Sequence, residues 1–443
     1  MAKVTPKILL ISDFHIGECL GSVRKSSAEN YKELGPNCYV RKEFISLLNQ
    51  LKSDYGITPE NRLDYLVIMG DQWDLAVQPM PYSINLALNF FKCAKKNLCA
   101  RNLIYLPGNH DHHIWRMVQT NCCVTEPLEK GKGTVDEFPQ VANGVIDLSG
   151  GQFEIIGGKL IDKNLTKKFL QGMVADITDN VDIVYPNLYI LYGKTSPRNA
   201  AICTHGHLFD GGWNPVTDVI YKFRKQPKQP FNLHDIEMLN SPITEFINYS
   251  MAQVGKYNMV DVLYDFYLIL EGILPNWIKN LLRREQKLVQ QGDVKIEQAA
   301  AFQGTKLLSM EGHLAEPLID AAVKEYISEA RGIFEDFLAL DKPPETQTES
   351  KFLSKNRERV IHYINESVKD LKDDEIANFD KIIYGHTHIP ENNTLFTPDD
   401  ISQKKMDVFN TGGWVYITSK ISHFPMPFLM FEDGEMRAVN VSS

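Results

Sequence analysis

The sequence predicts an α/β protein whose core is interrupted by a mainly helical insertion. Three observations predict it. Strand and helix patterns alternate up to His113, and each strand run ends in Asp, His or Asn, as in a parallel sheet that carries its polar groups at the strands' carboxyl ends. Strand signal then almost vanishes between about Gly211 and Asp341, where apolar residues recur at helical spacing. It returns at Lys381-Ile382-Ile383-Tyr384 and runs towards the C-terminus. The predicted division is 1–210 for the first part of the core, 211–350 for the insertion and 351–443 for the second part.

Composition sets the outer limits. A chain of 443 residues with 43% hydrophobic and 23% charged residues has enough apolar material for a large soluble core. Its 47 basic residues against 56 acidic ones give a net charge of −9, which disfavours a general grip on nucleic acid. The opening Met-Ala-Lys-Val-Thr-Pro-Lys runs straight into a strand, and no stretch reaches the roughly 18 apolar residues of a spanning helix. The seven cysteines are an odd number and show no CxxC pair, so reduced thiols in a cytoplasmic protein are expected.

The elements follow in order. Lys7–Ser12 is a strand ending in Asp13-Phe14-His15-Ile16-Gly17, and extended alternation would put Asp13 and His15 on one side. Gly21–Cys38 is polar and aperiodic and reads as a loop, followed by a helix over Val40–Ser53. Asp64–Met69 is a second strand, ending in Gly70-Asp71-Gln72-Trp73-Asp74. Asp71 comes first after the strand, and Asp74 reads as a cap for the next helix, Ile84–Lys96. Leu103–Leu106 is a third strand, ending in Pro-Gly-Asn-His-Asp-His-His, where Gly108 permits a sharp turn that aims Asn109 and His110.

From Ile114 to Asp182 the pattern is weak: turns, short strands and a helix around Lys167–Val174. Strands are predicted at Ile183–Leu191 and Asn199–Cys203, the latter ending in Thr204-His205-Gly206-His207. Within the insertion, Leu239–Met251, Val260–Gly272, Trp277–Gln290 and Leu314–Ala339 have helical spacing. The apolar run Phe266–Trp277, followed by Lys279, Arg283 and Arg284, suits a buried helix, an apolar lid or a helix lying on a membrane surface. A polar, Pro-rich connection and a helix over Ser350–Leu371 lead back to Gly385-His386-Thr387-His388, after which a second, mixed or antiparallel sheet closes the chain.

The strand ends thus gather Asp13, His15, Asp71, Asn109, His205, His386 and His388. Three hard oxygens and four imidazoles suit two first-row divalent ions, Mn, Fe, Zn or Co, better than calcium or a closed zinc site. Two-ion sites need a carboxylate between cations about 3.5–4 Å apart, and Asp71, on the middle motif, is the natural bridge. His112, His113 and His207 read as hydrogen-bonded loop residues, and Trp73 and Trp414 as packing. Arg24 or Arg41 is a candidate to reach a substrate phosphate.

DxH (Asp13, His15), GDxxD (Gly70, Asp71, Asp74), GNHD (Gly108–Asp111), HGH (His205–His207) and GHTH (Gly385–His388), in this order, resemble the calcineurin-like metallophosphoesterase superfamily. The resemblance covers roughly 7–210 and 375–443, outside the insertion. It implies a four-layer α/β/β/α fold, with Asp13, His15 and His388 holding one ion, Asn109, His205 and His386 the other, and Asp71 bridging. It further implies in-line attack on phosphorus by a hydroxide between the ions. His110 would assist the leaving oxygen and Asp111 would orient the His110 ring. Manganese is the expected metal, and the expected substrate is a phosphorylated small molecule, a nucleotide or a lipid-linked diphosphate.

The Gly-His-Thr-His-x-Pro run is also similar to that of UDP-2,3-diacylglucosamine pyrophosphatases. The chain departs from that group at His110, where Arg is usual, at Ile389 and in its greater length. A scaffold that had lost its chemistry would have lost ligands, and all seven are present. A nuclease fits poorly with the net charge.

Overall fold

The structure is a computed structural model. It describes residues 7–17, 22–25, 31–35, 38–76, 78–96, 98–131, 137–149, 151–156, 165–193, 198–214, 216–217, 231–250, 351–371, 376–388, 391–396, 405–413, 427–432 and 435–440. In chain order its strands are β1 (Ile8–Ile11), β2 (Val23–Arg24), β3 (Tyr31–Gly35), β4 (Cys38–Arg41), β5 (Leu63–Met69), β6 (Ala100–Leu106), β7 (Asn143–Asp147) and β8 (Gln152–Ile156). There follow β9 (Thr178–Ile183), β10 (Asn187–Tyr192), β11 (Arg198–Thr204), β12 (Ile376–Tyr384), β13 (Glu391–Phe396), β14 (Met406–Asn410), β15 (Pro427–Glu432) and β16 (Glu435–Asn440).

Two mixed sheets form the core. The first runs β16-β15-β1-β5-β6-β9 and the second β13-β14-β12-β11-β10-β7-β8. In the first sheet β1, β5, β6 and β9 are parallel neighbours. In the second, β11, β12 and β14 are parallel. Ile8, Leu10, Val67, Met69, Ile104 and Leu106 of the first sheet share one apolar cluster with Leu188, Ile190, Ala201, Cys203 and Ile383 of the second, so the sheets face each other. The alternating residues Leu9, Ile11, Leu66 and Ile68 are buried as well. A strand buried on both faces reads as a continuous apolar run, which is why these strands were visible in the sequence. On the far side of the second sheet, Tyr189 donates its hydroxyl hydrogen to the Ser367 carbonyl of the helix Arg357–Asp370.

Several expectations are corrected. Gly21–Cys38 contains β2 and β3, which with β4 make a small third sheet. Its strands are too short, and bury too few apolar residues (Val23, Tyr31, Cys38, Val40), to leave a periodic signal. Ile183–Leu191 is two strands rather than one: β9 belongs to the first sheet and β10 to the second. The chain crosses between them at Val184-Tyr185-Pro186, where proline cannot donate to a ladder. The hairpin β15–β16 extends the first sheet, antiparallel to β1, instead of the second. The Ser350–Leu371 helix is broken at Asn356 into Lys351–Lys355 and Arg357–Asp370.

By contacts the chain forms two units, one of 1–210, 233–255 and 344–443 and the other of 211–232 and 256–343. The helix Leu233–Glu245, within the stretch read as an insertion, belongs with the sheets. The helices expected at Val260–Gly272, Trp277–Gln290 and Leu314–Ala339, the Phe266–Trp277 run, Trp414 and the Val415–Thr418 strand lie outside the described residues. Among the described residues no helix is long and apolar enough to cross a membrane. The described cysteines, Cys38, Cys93, Cys99, Cys122, Cys123 and Cys203, are free thiols.

Candidate metal centre

The loops after β1, β5, β6, β11 and β12 deliver every sequence-predicted residue to the carboxyl ends of their strands. Backbone bonds hold the first two loops side by side beyond the strands: Asp13 N–H donates to the Gly70 carbonyl (3.0 Å) and His15 N–H to that of Asp71 (2.9 Å). The expected extended alternation is not what aims the side chains. Asp13, His15, Asp71, His386 and His388 have φ of 55°, 45°, 51°, 70° and 57°, and they are the non-glycine residues of positive φ among those described. Each such residue costs of order 1–3 kcal/mol, which surrounding structure must offset, and such strain concentrates at functional sites. Five candidate ligands in that one conformation is a signal no sequence pattern carries.

Two groups of donors result. Asp13, His15, Asp71 and His388 each offer a ligand atom, all within 4.8 Å of one another. His15 Nε2 stands 3.0 Å from His388 Nε2. In the second group, Asn109 Oδ1 lies 3.0 Å from both His205 Nε2 and His386 Nδ1. Asp71 Oδ2 belongs to both, at 3.7 Å from His15 Nε2 and 3.2 Å from His205 Nε2.

The outer nitrogens decide which lone pairs face inward. His205 Nδ1 donates to the Met69 carbonyl (2.8 Å), His15 Nδ1 to Asp74 Oδ2 (2.9 Å) and His386 Nε2 to Asp210 Oδ2 (2.8 Å). A neutral imidazole held this way presents its other nitrogen as a lone pair, the form a metal ligand needs. His15 Nε2 and His388 Nε2 converge to 3.0 Å, with the Asp13 carboxylate 3.4 Å from His388 Nε2 and that of Asp71 3.7 Å from His15 Nε2, the spacing of donors gathered around one cation. The donor set therefore fits two divalent ions.

The electrostatics agree. Burial opposes charge on Asp71, but His205 and His110 outweigh it and hold the carboxyl well below its ordinary range. Asp13 is likewise lowered, with burial opposed by His388 and His205. Burial keeps His15 below the usual imidazole range, with His110 and His388 adding to it and Asp74 opposing. His205 is pushed up to about 9: burial works against its charge, but Asp71 and Asp13 draw a proton, and the same field draws a divalent cation.

His110 stands at the rim, its side chain 19% exposed, with its ring edge-on to His15 at 4.7 Å. The carboxylate at its Nδ1 is Asp74 Oδ1 (3.1 Å), where Asp111 was expected. Asp111 instead accepts backbone hydrogen bonds from Gly108 (2.7 Å) and Gln72 (2.7 Å), which tie the β5 and β6 loops together and leave it turned away from the ring. Nor does Asp74 cap a helix, since the helix Met80–Ala94 begins after Pro79. Asp74 is buried beside His15 and His110 and bonds both rings. The GDxxD spacing held this clue; Asp210 had no such signal. Gly108 is needed for room rather than for its turn, because a Cβ there would lie 2.7 Å from the Asp71 backbone nitrogen.

The remaining candidates are accounted for. His112 bonds Glu237 (2.8 Å) and Glu245 (2.5 Å), His113 bonds Glu245 (2.8 Å), and His207 meets the Tyr185 hydroxyl (3.1 Å). Trp73 packs edge-on against Tyr105. Arg41 is buried next to Glu43 (3.4 Å), and Arg24 lies over the Tyr31 ring.

A family model, calcineurin-like phosphoesterase, matches residues 6–262, more than half of the chain, and stops short of the Gly385–His388 motif. No curated protein matches the chain.

Proposed function

The chain belongs to the calcineurin-like phosphoesterase family and is a metal-dependent hydrolase of phosphoesters, and from that premise we propose its mechanism and ligand assignment. Asp13, His15 and His388 would hold one divalent ion, Asn109, His205 and His386 the other, and Asp71 would contribute to both. One observation carries this reading: Asp71 Oδ2 borders both donor groups, at 3.7 and 3.2 Å from their nearest imidazole nitrogens. When bound, two cations supply a nucleophilic water at neutral pH and neutralise charge on the phosphate oxygens. Manganese suits the mixed imidazole and oxygen donors, with Fe, Zn and Co as the other candidates.

The chain's own residues supply the rest. Asp13 and Asp71 bring two negative charges to four positive ones, so a net positive centre faces the phosphate. Asp74 holds the His110 ring through Nδ1, and in this reading Nε2 is the nitrogen that meets the leaving oxygen. A carboxylate at Nδ1 also stabilises the doubly protonated ring that a general acid requires. Burial alone would raise the Asp74 carboxyl, but His110 and His15 hold it well below its ordinary range, so it stays ionised through the working pH.

Substrates in this reading are phosphorylated small molecules, nucleotides or lipid-linked diphosphates. The test is hydrolysis of p-nitrophenyl phosphate and of bis-p-nitrophenyl phosphate by EDTA-treated protein, with and without Mn. Mn-restored turnover supports the reading, and the preferred ester separates monoesterase from diesterase action. Undiminished turnover after complete metal removal would refute it.

A further inference from the structure

The helix Leu233–Glu245 packs a polar face inward: Glu237, Asn240, Ser241 and Thr244 are buried with Leu233 and Ile236. An ordinary packing helix turns an apolar stripe to its neighbour. Burying a carboxylate is costly, and a well-packed hydrocarbon side chain usually does as well or better for stability alone. Arg116 stands 4.0 Å from Glu237 Oε1 as an ion partner, and Glu237 makes two closer, directed hydrogen bonds. Its Oε1 lies 2.8 Å from His112 Nε2, and its Oε2 accepts the Tyr185 hydroxyl hydrogen at 2.7 Å.

Those two contacts lead to two different ligand loops. His112 ends the Asn109-His110-Asp111 loop that leaves β6, in the first sheet. Tyr185 lies where the chain crosses between sheets, and its hydroxyl also meets His207 Nε2 at 3.1 Å, in the loop that carries His205 out of β11, in the second sheet. Glu245 grips the same β6 loop from the end of the helix, through His112 and His113. The helix is thus pinned over the seam between the sheets.

We propose that Glu237 is a positioning residue for the second ion: it braces the β6 loop against the β11 loop and so fixes the spacing of Asn109 and His205. This rests on the dinuclear reading above. Glu237 does not touch the ion. It holds the two backbones whose side chains do.

The test uses the full chain and Mn titration followed by electron paramagnetic resonance, which separates a single bound ion from a magnetically coupled pair. Glu237→Leu removes both contacts, Tyr185→Phe removes one, and Glu237→Gln keeps an oxygen for His112 and an amide for Tyr185. Loss of partners around metal ligands typically weakens binding by about 10–100-fold. We therefore expect Glu237→Leu and Tyr185→Phe to need about tenfold more Mn for the coupled signal, with first-ion binding unchanged, and Glu237→Gln to stay near wild type. Folded variants that form the coupled pair at the wild-type Mn concentration would overturn the brace, and so would equal weakening of both ions. If Glu237→Leu does not fold, Tyr185→Phe decides by the same criteria. A wild-type chain that never shows the coupled signal overturns the dinuclear reading and the brace with it.

Discussion

Replacing Asp74 by Asn probes the link between metal binding and leaving-group assistance. Three donors on the carboxylate bear on the site: Oδ1 accepts from the Ala76 backbone N–H (3.1 Å) and from His110 Nδ1 (3.1 Å), and Oδ2 from His15 Nδ1 (2.9 Å). The Ala76 and His110 donors keep the Asn oxygen at the Oδ1 position, which sets the amide hydrogens against the His15 Nδ1 proton. His15 must then move that proton to Nε2, the nitrogen facing His388 and Asp71. A ring protonated there cannot ligate, so the Mn requirement should rise by about 10–100-fold. His110 keeps a hydrogen bond but loses its charged partner, a change of about 0.5–2 kcal/mol, since charged hydrogen bonds are worth roughly 1.5–3 and neutral ones about 1. At saturating Mn that is about 2–30-fold in kcat.

The assay is kcat against Mn concentration for a series of phosphate esters of rising leaving-group pKa. The loss at saturating Mn should be small for p-nitrophenyl phosphate and larger for alkyl phosphates, which need proton donation. An unchanged Mn requirement would refute the role of Asp74 in holding His15. Equal losses across the series would refute His110 as the proton donor.

Three other perturbations follow from the same geometry. Asp71→Asn should abolish metal-dependent turnover, and full activity in that variant would sink the bridging assignment. Gly108→Ala should cut Mn affinity and thermal stability together, because the added methyl meets the Asp71 backbone at 2.7 Å; a fully active, equally stable variant would contradict the packing. For pH, burial works against the His112 charge, yet Glu237 and Glu245 raise it to about 9 from 6.5. A group raised on folding stabilises fully below its unfolded value, so this contribution should be lost as pH rises from about 6.5 through 9. His205, raised to about 9 by Asp71, adds to the same window in metal-free protein. Comparing the melting temperature of metal-free wild type with that of His112→Gln across this range isolates His112. Parallel curves would contradict the assignment.

The sequence alone determined the strands and the residue types at their ends. A strand buried on both faces must be apolar throughout, and ligands placed at its carboxyl end must follow directly in sequence, so β1, β5, β6, β11 and the close of β12 were legible with Asp13, Asp71, Asn109, His205 and His386 attached. Tertiary structure decided everything that depends on non-local pairing. Whether β9 and β10 share a sheet, and which sheet takes the β15–β16 hairpin, turns on partners far along the chain. The rotation of each ligand is likewise set by left-handed backbone at His15 and His388 and by outer hydrogen bonds to Asp74, Asp210 and Met69. Asp74 could be named from its spacing but not given its work, because the two imidazoles it orients arrive from residues 59 and 36 positions away. Glu237 left no trace at all in the pattern, since a single acidic residue in a helix reads as solvent-facing until a histidine from another loop is seen to bury it.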